Sequence, residues 1–262
     1  MSATQQVDVV VLGLGAGGEH AARKLAEAGL RVVGVESRLV GGECPFWGCT
    51  PSKLLIRASD ALAEARAADR LSGEVTVRAD LGPAAARIRE ANHDWHDVSH
   101  AGPLEEAGVR LVRGHGRLDG PGRVRVTTDD GVVELEAARG VVLNTGTAPA
   151  APPIDGLAGT PYWTNREVVH VTEAPASLVV VGGGPIGAEL AQAFARFGTS
   201  VTLLELGERL LGPEEPEAGE LLAGVLREEG VDVRTGVEVT SVRHDGRFHV
   251  VVDGATRTAD QL

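Results

Sequence analysis

The chain has 262 residues, with 35 glycines, 3% aromatic residues, two cysteines and a formal net charge of −12. That length holds one large or two medium domains, and the acidic balance excludes the basic footprint of a nucleic-acid binder. The first apolar run, Val7 to Leu12, is too short for a membrane span and lacks a basic flank, and two cysteines five residues apart are no secreted disulfide framework, so the cytoplasm is the expected setting.

Val7 to Leu12 is a β-branched run suited to a central parallel strand. Gly13 to Gly18 makes a turn, Glu19 to Ala28 a helix closed by Gly29, and Arg31 to Glu36 the next strand. The segment Gly41 to Lys53 carries both cysteines and leads into a helix that runs to about Arg66. One long polar helix is expected over Pro83 to Glu106, and a strand over Val109 to Gly114. Arg123 to Thr127 and Val132 to Ala137 read as a hairpin, and Gly140 to Asn144 as a further strand ending at Thr145-Gly146. Pro149 through Pro161 is rich in Pro, Ala and Gly, the texture of a crossing between domains.

After Pro175 the opening pattern returns. Leu178 to Val181 is a strand, Gly182 to Gly187 a turn, Ala188 to Phe197 a helix and Val201 to Glu205 a strand. A helix over Glu214 to Glu229, a strand over Val231 to Arg234 and two β pieces, Glu238 to Arg243 and Phe248 to Val252, complete the series. The expected fold class is α/β: two Rossmann-like dinucleotide-binding units, the second incomplete, in a three-layer sandwich with a small β-meander insertion. Residues 1–150 are expected to form the first domain, 151–174 a linker and 175–262 the truncated second domain.

The first turn, Gly13-Leu14-Gly15-Ala16-Gly17-Gly18, follows a strand, opens a helix and has an acid, Glu36, at the end of the next strand. That context turns a weak pattern into a dinucleotide fingerprint. Gly13 permits the tight turn, Gly15 lets backbone approach a pyrophosphate, Gly18 lets helix and sheet pack closely, and Glu36 accepts from a ribose. Gly182-Gly183-Gly184-Pro185-Ile186-Gly187 with Glu205 repeats the arrangement, so two dinucleotides are expected. An acid at Glu205 repels a 2′-phosphate and favours NAD over NADP, with Arg209 nearby as the opposing signal.

Cys44 and Cys49 lie in Gly41-Gly42-Glu43-Cys44-Pro45-Phe46-Trp47-Gly48-Cys49-Thr50-Pro51-Ser52-Lys53. Five residues of ideal helix rise about 7.5 Å and turn about 500°, which points the side chains apart. A disulfide needs Cα atoms within roughly 7 Å, so bonding requires a distorted turn, which Pro45 and Gly48 make accessible. Cys44 is expected near a helix start, where a thiolate is favoured. The competing readings are two inert buried cysteines and a zinc site, for which no second cysteine cluster exists. His93, His96 and His100 would share one face of the long helix at metal-ligand spacing, but the segment is polar and no metal is expected.

The Gly-Gly-x-Cys-x-x-x-Gly-Cys-x-Pro-Ser-Lys pattern at 41–53, between two dinucleotide fingerprints, resembles the class I pyridine nucleotide–disulfide oxidoreductases, the family of dihydrolipoamide dehydrogenase, glutathione reductase and mercuric reductase. The resemblance runs the length of the chain. It implies FAD at the first unit, contacted by Gly13, Gly15, Gly18, Glu36, Gly41, Gly42, Lys53, Gly116, Thr145 and Gly146. It implies NAD(P)H at the second, contacted by Gly182, Gly184, Gly187, Glu189, Glu205 and Val237. It further implies that Lys53 pairs with Glu189, that Cys49 is the flavin-proximal thiol and that Cys44 exchanges with a small-molecule disulfide or related acceptor; from charge and hydropathy, neither nucleic acid nor membrane is expected as a partner. Pro45-Phe46-Trp47 departs from the best-known members and is expected to reshape the substrate approach. The family's homodimerisation domain, with its His-Glu pair, has no counterpart up to Leu262. The alternatives are a mercuric-reductase-like metal-ion reductase and a catalytically incomplete fragment that only binds nucleotide.

Overall fold

In the computed structural model, which describes residues 4–262, the opening valine run becomes strand β1 (Gln5–Leu12). Its side chains alternate between two buried faces, Val10 to one side and Val9 and Val11 to the other. Helix α1 (Ala16–Glu27) and strand β2 (Val32–Glu36) complete the first β-turn-α-β unit. α1 begins inside the glycine turn, three residues before Glu19, with Gly15 as its N-cap. Helices α2 (Glu43–Phe46), α3 (Cys49–Ala67), α4 (Asp69–Ser72), α5 (Gly82–Ala91) and α6 (Val98–Glu106) follow.

The single helix expected over Pro83 to Glu106 is therefore broken. His93, Asp94 and Trp95 sit at φ 48°, 53° and 57°. Left-handed backbone costs roughly 1–2 kcal/mol per residue, so three such residues in a row persist only where outside contacts hold them. The break also disperses the histidines, with His93 and His96 in or beside it and His100 on α6. Among the described residues no group of three or more His, Cys, Asp or Glu side chains is placed to hold a metal ion.

Strand β3 (Arg110–Arg113) pairs with β2, and β4 (His115–Leu118), β5 (Arg123–Thr128) and β6 (Gly131–Leu143) form a meander. The sheet order is β3-β2-β1-β6-β5-β4, parallel from β3 to β6 and antiparallel from β6 to β4. The strands expected separately at Val132–Ala137 and Gly140–Asn144 are one. β6 follows β1 along its length, and the register shift between Val7 and Val9 absorbs one extra residue as a bulge. One face of the parallel sheet packs under the meander, through Val10, Val33 and Val35 against Val124, Val126 and Leu135. The opposite face packs on the α1 and α6 side, with Ala22 and Leu104 in the same buried cluster.

After the capped turn α7 (Asn165–Val168), the second series gives β7 (Ser177–Val181), α8 (Pro185–Arg196), β8 (Ser200–Leu204), α9 (Pro216–Glu228) and β9 (Asp232–Arg234), a parallel sheet ordered β7-β8-β9. A second meander, β10 (Val239–His244), β11 (Phe248–Val252) and β12 (Ala255–Ala259), shares a core with it through Val179, Leu204, Phe248 and Val250. β12 has no apolar run to mark it, although its two threonines favour a strand. The chain divides into two units, one of Met1–Pro51 with Arg89–Ala148 and one of Ser52–Ile88 with Pro149–Leu262. No helix of the described residues is long and apolar enough to cross a membrane.

Candidate active site

Three close backbone approaches shape the first glycine turn. A Cβ on Gly13 would lie 2.2 Å from the Asn144 carbonyl oxygen, and Gly13 has φ +91°. A Cβ on Gly18 would lie 2.0 Å from the Gly13 oxygen, and one on Gly42 would lie 2.7 Å from the Gly15 Cα. Gly15 and Gly41 are bridged in parallel. The turn thus gathers Gly13, Gly15, Gly18, Gly41, Gly42 and Thr145 beside the N-terminus of α1, which no side chain caps, while Gly146, next along the chain at φ +65°, has nothing within 4 Å of an added Cβ. An uncapped helix start approached by bare backbone is the donor set that a pyrophosphate needs, so these residues fit the phosphates of a dinucleotide. Glu36 accepts from the Leu14 N–H through Oε2 at 2.8 Å and from the Arg38 N–H through Oε1 at 2.8 Å. A carboxylate offers about four acceptor sites, which leaves capacity for a ribose diol. Gly116, on β4, lies over the ends of β1 and β2, where a Cβ would meet Leu12 at 2.3 Å.

The second turn repeats the strand-turn-helix form of the first, without a counterpart of Asn144 over its glycines. A Cβ on Gly187 would lie 2.0 Å from the Gly182 oxygen, Gly184 has nothing within 4 Å, and no side chain caps α8. Glu205 accepts from the Gly183 N–H at 2.5 Å and from the Gly207 N–H at 2.7 Å. In both turns the acid lies 22 residues beyond the loop donor. Val237 donates its N–H to the Glu205 carbonyl. Arg209 is held by the carbonyls of Gly212 and Glu214. Glu189, one turn into α8, meets Lys53 of α3 through both oxygens at 2.7 and 2.8 Å.

Cys44 belongs to the single-turn α2, whereas Cys49 opens the 19-residue α3. The sulfur at the start of a long helix, where a helix carries partial positive charge, is thus Cys49 and not Cys44. Between the helices, the N–H groups of Trp47 and Gly48 both converge on the Glu43 carbonyl. This break turns the two thiols toward each other. The hydrogen bond with Cys49, burial and the Cys49 charge together push the Cys44 thiol up, so Cys44 keeps its proton to higher pH than an isolated cysteine. Cys49 is exposed and Cys44 half-buried. Of the three residues between the thiols, Phe46 turns inward while Pro45 and Trp47 stay half-buried. Phe46 is 1% exposed, and its ring lies 5.7 Å from that of His100. An aromatic ring this close to the α6 side of the core is drawn inward by burial.

Several supporting residues carried no sequence signal. The Asn144 amide hangs over Gly15, Gly17 and Gly18 and reaches the Gly13 carbonyl at 3.5 Å; a polar residue ending an apolar strand was its only trace. Asp97 takes the Val40 N–H at 2.6 Å and both Arg113 guanidinium nitrogens. Burial raises the Asp97 pKa, but the Arg113 and Val40 hydrogen bonds outweigh it and hold the carboxyl below the usual carboxylate range. His100 meets Glu19 at 3.2 Å and closes over Gly41.

The profile of the family described as pyridine nucleotide-disulphide oxidoreductase matches residues 7–262. The chain is 36% identical over 239 residues, 90% of its length, to a dihydrolipoyl dehydrogenase of Chlorobaculum tepidum, covering 50% of that protein. It is 34% identical over 267 residues to a mercuric reductase of Shewanella putrefaciens, covering 98% of this chain and 47% of that protein. Among solved structures it is similar to the HOCl-induced flavoprotein disulfide reductase RclA from Escherichia coli, with a TM-score of 0.83 and 27% identity over 97% of this chain and 55% of that one. The chain spans about half the length of the curated relatives it matches.

Proposed function

The chain belongs to the pyridine nucleotide-disulphide oxidoreductases, and from that premise we propose that it passes electrons from a nicotinamide dinucleotide at the second glycine turn, by way of FAD at the first, to Cys44 and Cys49 and on to a disulfide-type acceptor. The observation that carries this reading is the contact between the two thiols across the α2–α3 break. Members of the family use FAD and NAD(P)H. Bound FAD supplies a two-electron relay between nicotinamide and dithiol.

This chain's own residues supply binding and positioning. Gly13, Gly15 and Gly18 admit the pyrophosphate of FAD to the start of α1, and Glu36 takes its ribose. Gly41, Gly42, Thr145 and Gly146 line the same cradle, and Gly116 leaves room beside the adenine. Gly182, Gly184, Gly187 and Glu205 do the corresponding work for NAD, bordered by Val237. NAD is favoured over NADP because Glu205 opposes a 2′-phosphate and Arg209 is spent on its own loop carbonyls. Lys53, one turn beyond Cys49 on α3, is held by Glu189 as a fixed cation.

At the sulfurs, two electrons and two protons open the Cys44–Cys49 disulfide to the dithiol. The Cys44 sulfur then attacks an acceptor disulfide and expels one thiol, and Cys49 displaces the second as the internal disulfide re-forms. Because Cys44 holds its proton above the ordinary thiol range, this attack calls for a base that withdraws it. A cysteine pair that cycles between disulfide and dithiol suits a cytoplasmic setting.

A second reading, reduction of a soft metal ion such as Hg(II) at the same dithiol, is favoured by the mercuric reductases matching nearly the full chain at 33–34% identity. A visible spectrum of the purified chain tests the flavin reading. Bound flavin with long-wavelength absorbance on reduction, lost in Cys49→Ser, is expected; a colourless chain that FAD does not reconstitute sinks it. NADH oxidation driven by Hg(II) but not by lipoamide would select the second reading.

A further inference from the structure

The carbonyl of Phe46 is the last of α2. In an unbroken helix it would accept the N–H of Thr50, four residues on. Here it takes two side-chain donors from the broken α5–α6 segment. The Asn92 amide reaches it at 3.2 Å and the Trp95 indole N–H at 3.2 Å. Asn92 is 2% exposed, and Trp95 presents its indole from the left-handed run at His93–Trp95.

We propose that Asn92 and Trp95 are positioning residues for the Cys44–Cys49 pair: by occupying the Phe46 carbonyl they hold the α2–α3 break open and so keep the two sulfurs within bonding reach. A continuous helix would separate the sulfurs by about 140° around its axis. The break removes that separation but leaves a buried helix-end carbonyl, which costs free energy unless donors reach it. The left-handed residues that carry Trp95 acquire a role on this account, since unusual backbone persists where the surroundings require it. Phe46 acquires one too, because burying its ring fixes the carbonyl that the two donors grip.

The proposal rests on the reading of Cys44 and Cys49 as a redox pair, and its test needs no flavin. The full chain is equilibrated in glutathione buffers, where the dithiol and oxidised glutathione give the Cys44–Cys49 disulfide and two reduced glutathiones. Alkylation and mass measurement then read the oxidised fraction; the chain has no other cysteine. Trp95→Phe, which keeps the ring and removes the N–H, and Asn92→Leu are each expected to lower the equilibrium constant for disulfide formation about tenfold, or about 30 mV in potential. Leu104→Ala, a buried truncation in a cluster that lacks Phe46, is expected to lower the melting temperature while leaving that constant within twofold. Should Asn92→Leu fail to fold, Trp95→Phe alone decides. An unchanged constant in Trp95→Phe, or an equal shift in Leu104→Ala, overturns the proposal. Absence of any disulfide in the unaltered chain would instead overturn the redox reading beneath it.

Discussion

Gly184 and Gly187 stand three residues apart in one turn, in opposite surroundings. At Gly187 an added Cβ would lie 2.0 Å from the Gly182 carbonyl oxygen, well inside contact distance, and both partners are backbone. The strand-to-helix step must then open. Overpacking of this kind costs about 1–3 kcal/mol, or about 2–12 °C of melting temperature for a chain of this size. At Gly184 nothing lies within 4 Å and φ is −73°, which any residue adopts. Alanine is a poorer N-cap than glycine, but it restricts the unfolded chain, so stability should stay within about 1 kcal/mol. A dinucleotide phosphate approaching that backbone would meet the new methyl group and lose at least one charge-assisted hydrogen bond. At about 1.5–3 kcal/mol each, affinity should fall about ten- to a hundredfold. Calorimetric titration with NADH and thermal unfolding of Gly184→Ala and Gly187→Ala separate the two effects. If Gly184→Ala binds NADH like the unaltered chain, the second turn does not hold the dinucleotide as reasoned.

Two further outcomes follow from the charged groups. Lys53 and Glu189 are 61% and 39% exposed, so Lys53→Met should change stability by less than about 1 kcal/mol. Rapid-mixing measurement should nevertheless show NADH-driven reduction slowed at least tenfold, and an unchanged rate would remove Lys53 from the site. Asp97 is held below its ordinary range when folded, so its contribution is present above the unfolded carboxylate value of about 3.9 and is lost as pH falls through the folded value. Asp97→Ala should therefore cost about 2–3 kcal/mol at pH 7, and the gap to the unaltered chain should narrow below about pH 4. A gap that stays constant down to pH 3 in thermal unfolding would contradict the ionic account.

The glycine turns and their strands were legible because their constraints are local. Gly13, Gly18 and Glu36 must stand at fixed spacing for a strand, a tight turn and a helix to pack, and the same spacing recurs at Gly182, Gly187 and Glu205. The need for a break at the cysteines was legible too, since ideal helix geometry keeps Cys44 and Cys49 apart. What holds that break was not. Asn92 and Trp95 are more than forty residues from Phe46 in sequence, and their helical composition concealed the left-handed run. Asp97 and Arg113 were equally silent, because a charged pair bracing a loop from another element leaves no periodicity. The one-residue bulge that fuses two expected strands into β6 depends on pairing with β1, not on the β6 sequence itself.

The floor under the first glycine turn arrives late in synthesis. Gly13 packs on Asn144, 131 residues further along the chain, and β1 gains β6 as a parallel neighbour only when the same stretch has emerged. At the usual pace of translation, about 5–20 residues per second, that interval is about 7–26 s. For most of it, the valines of β1 and β2 are made but lack β6, and pairings so distant in sequence form slowly even afterwards. Mutations that weaken the β1–β6 pairing are therefore expected to lower the yield of folded chain before they alter the glycine turn itself.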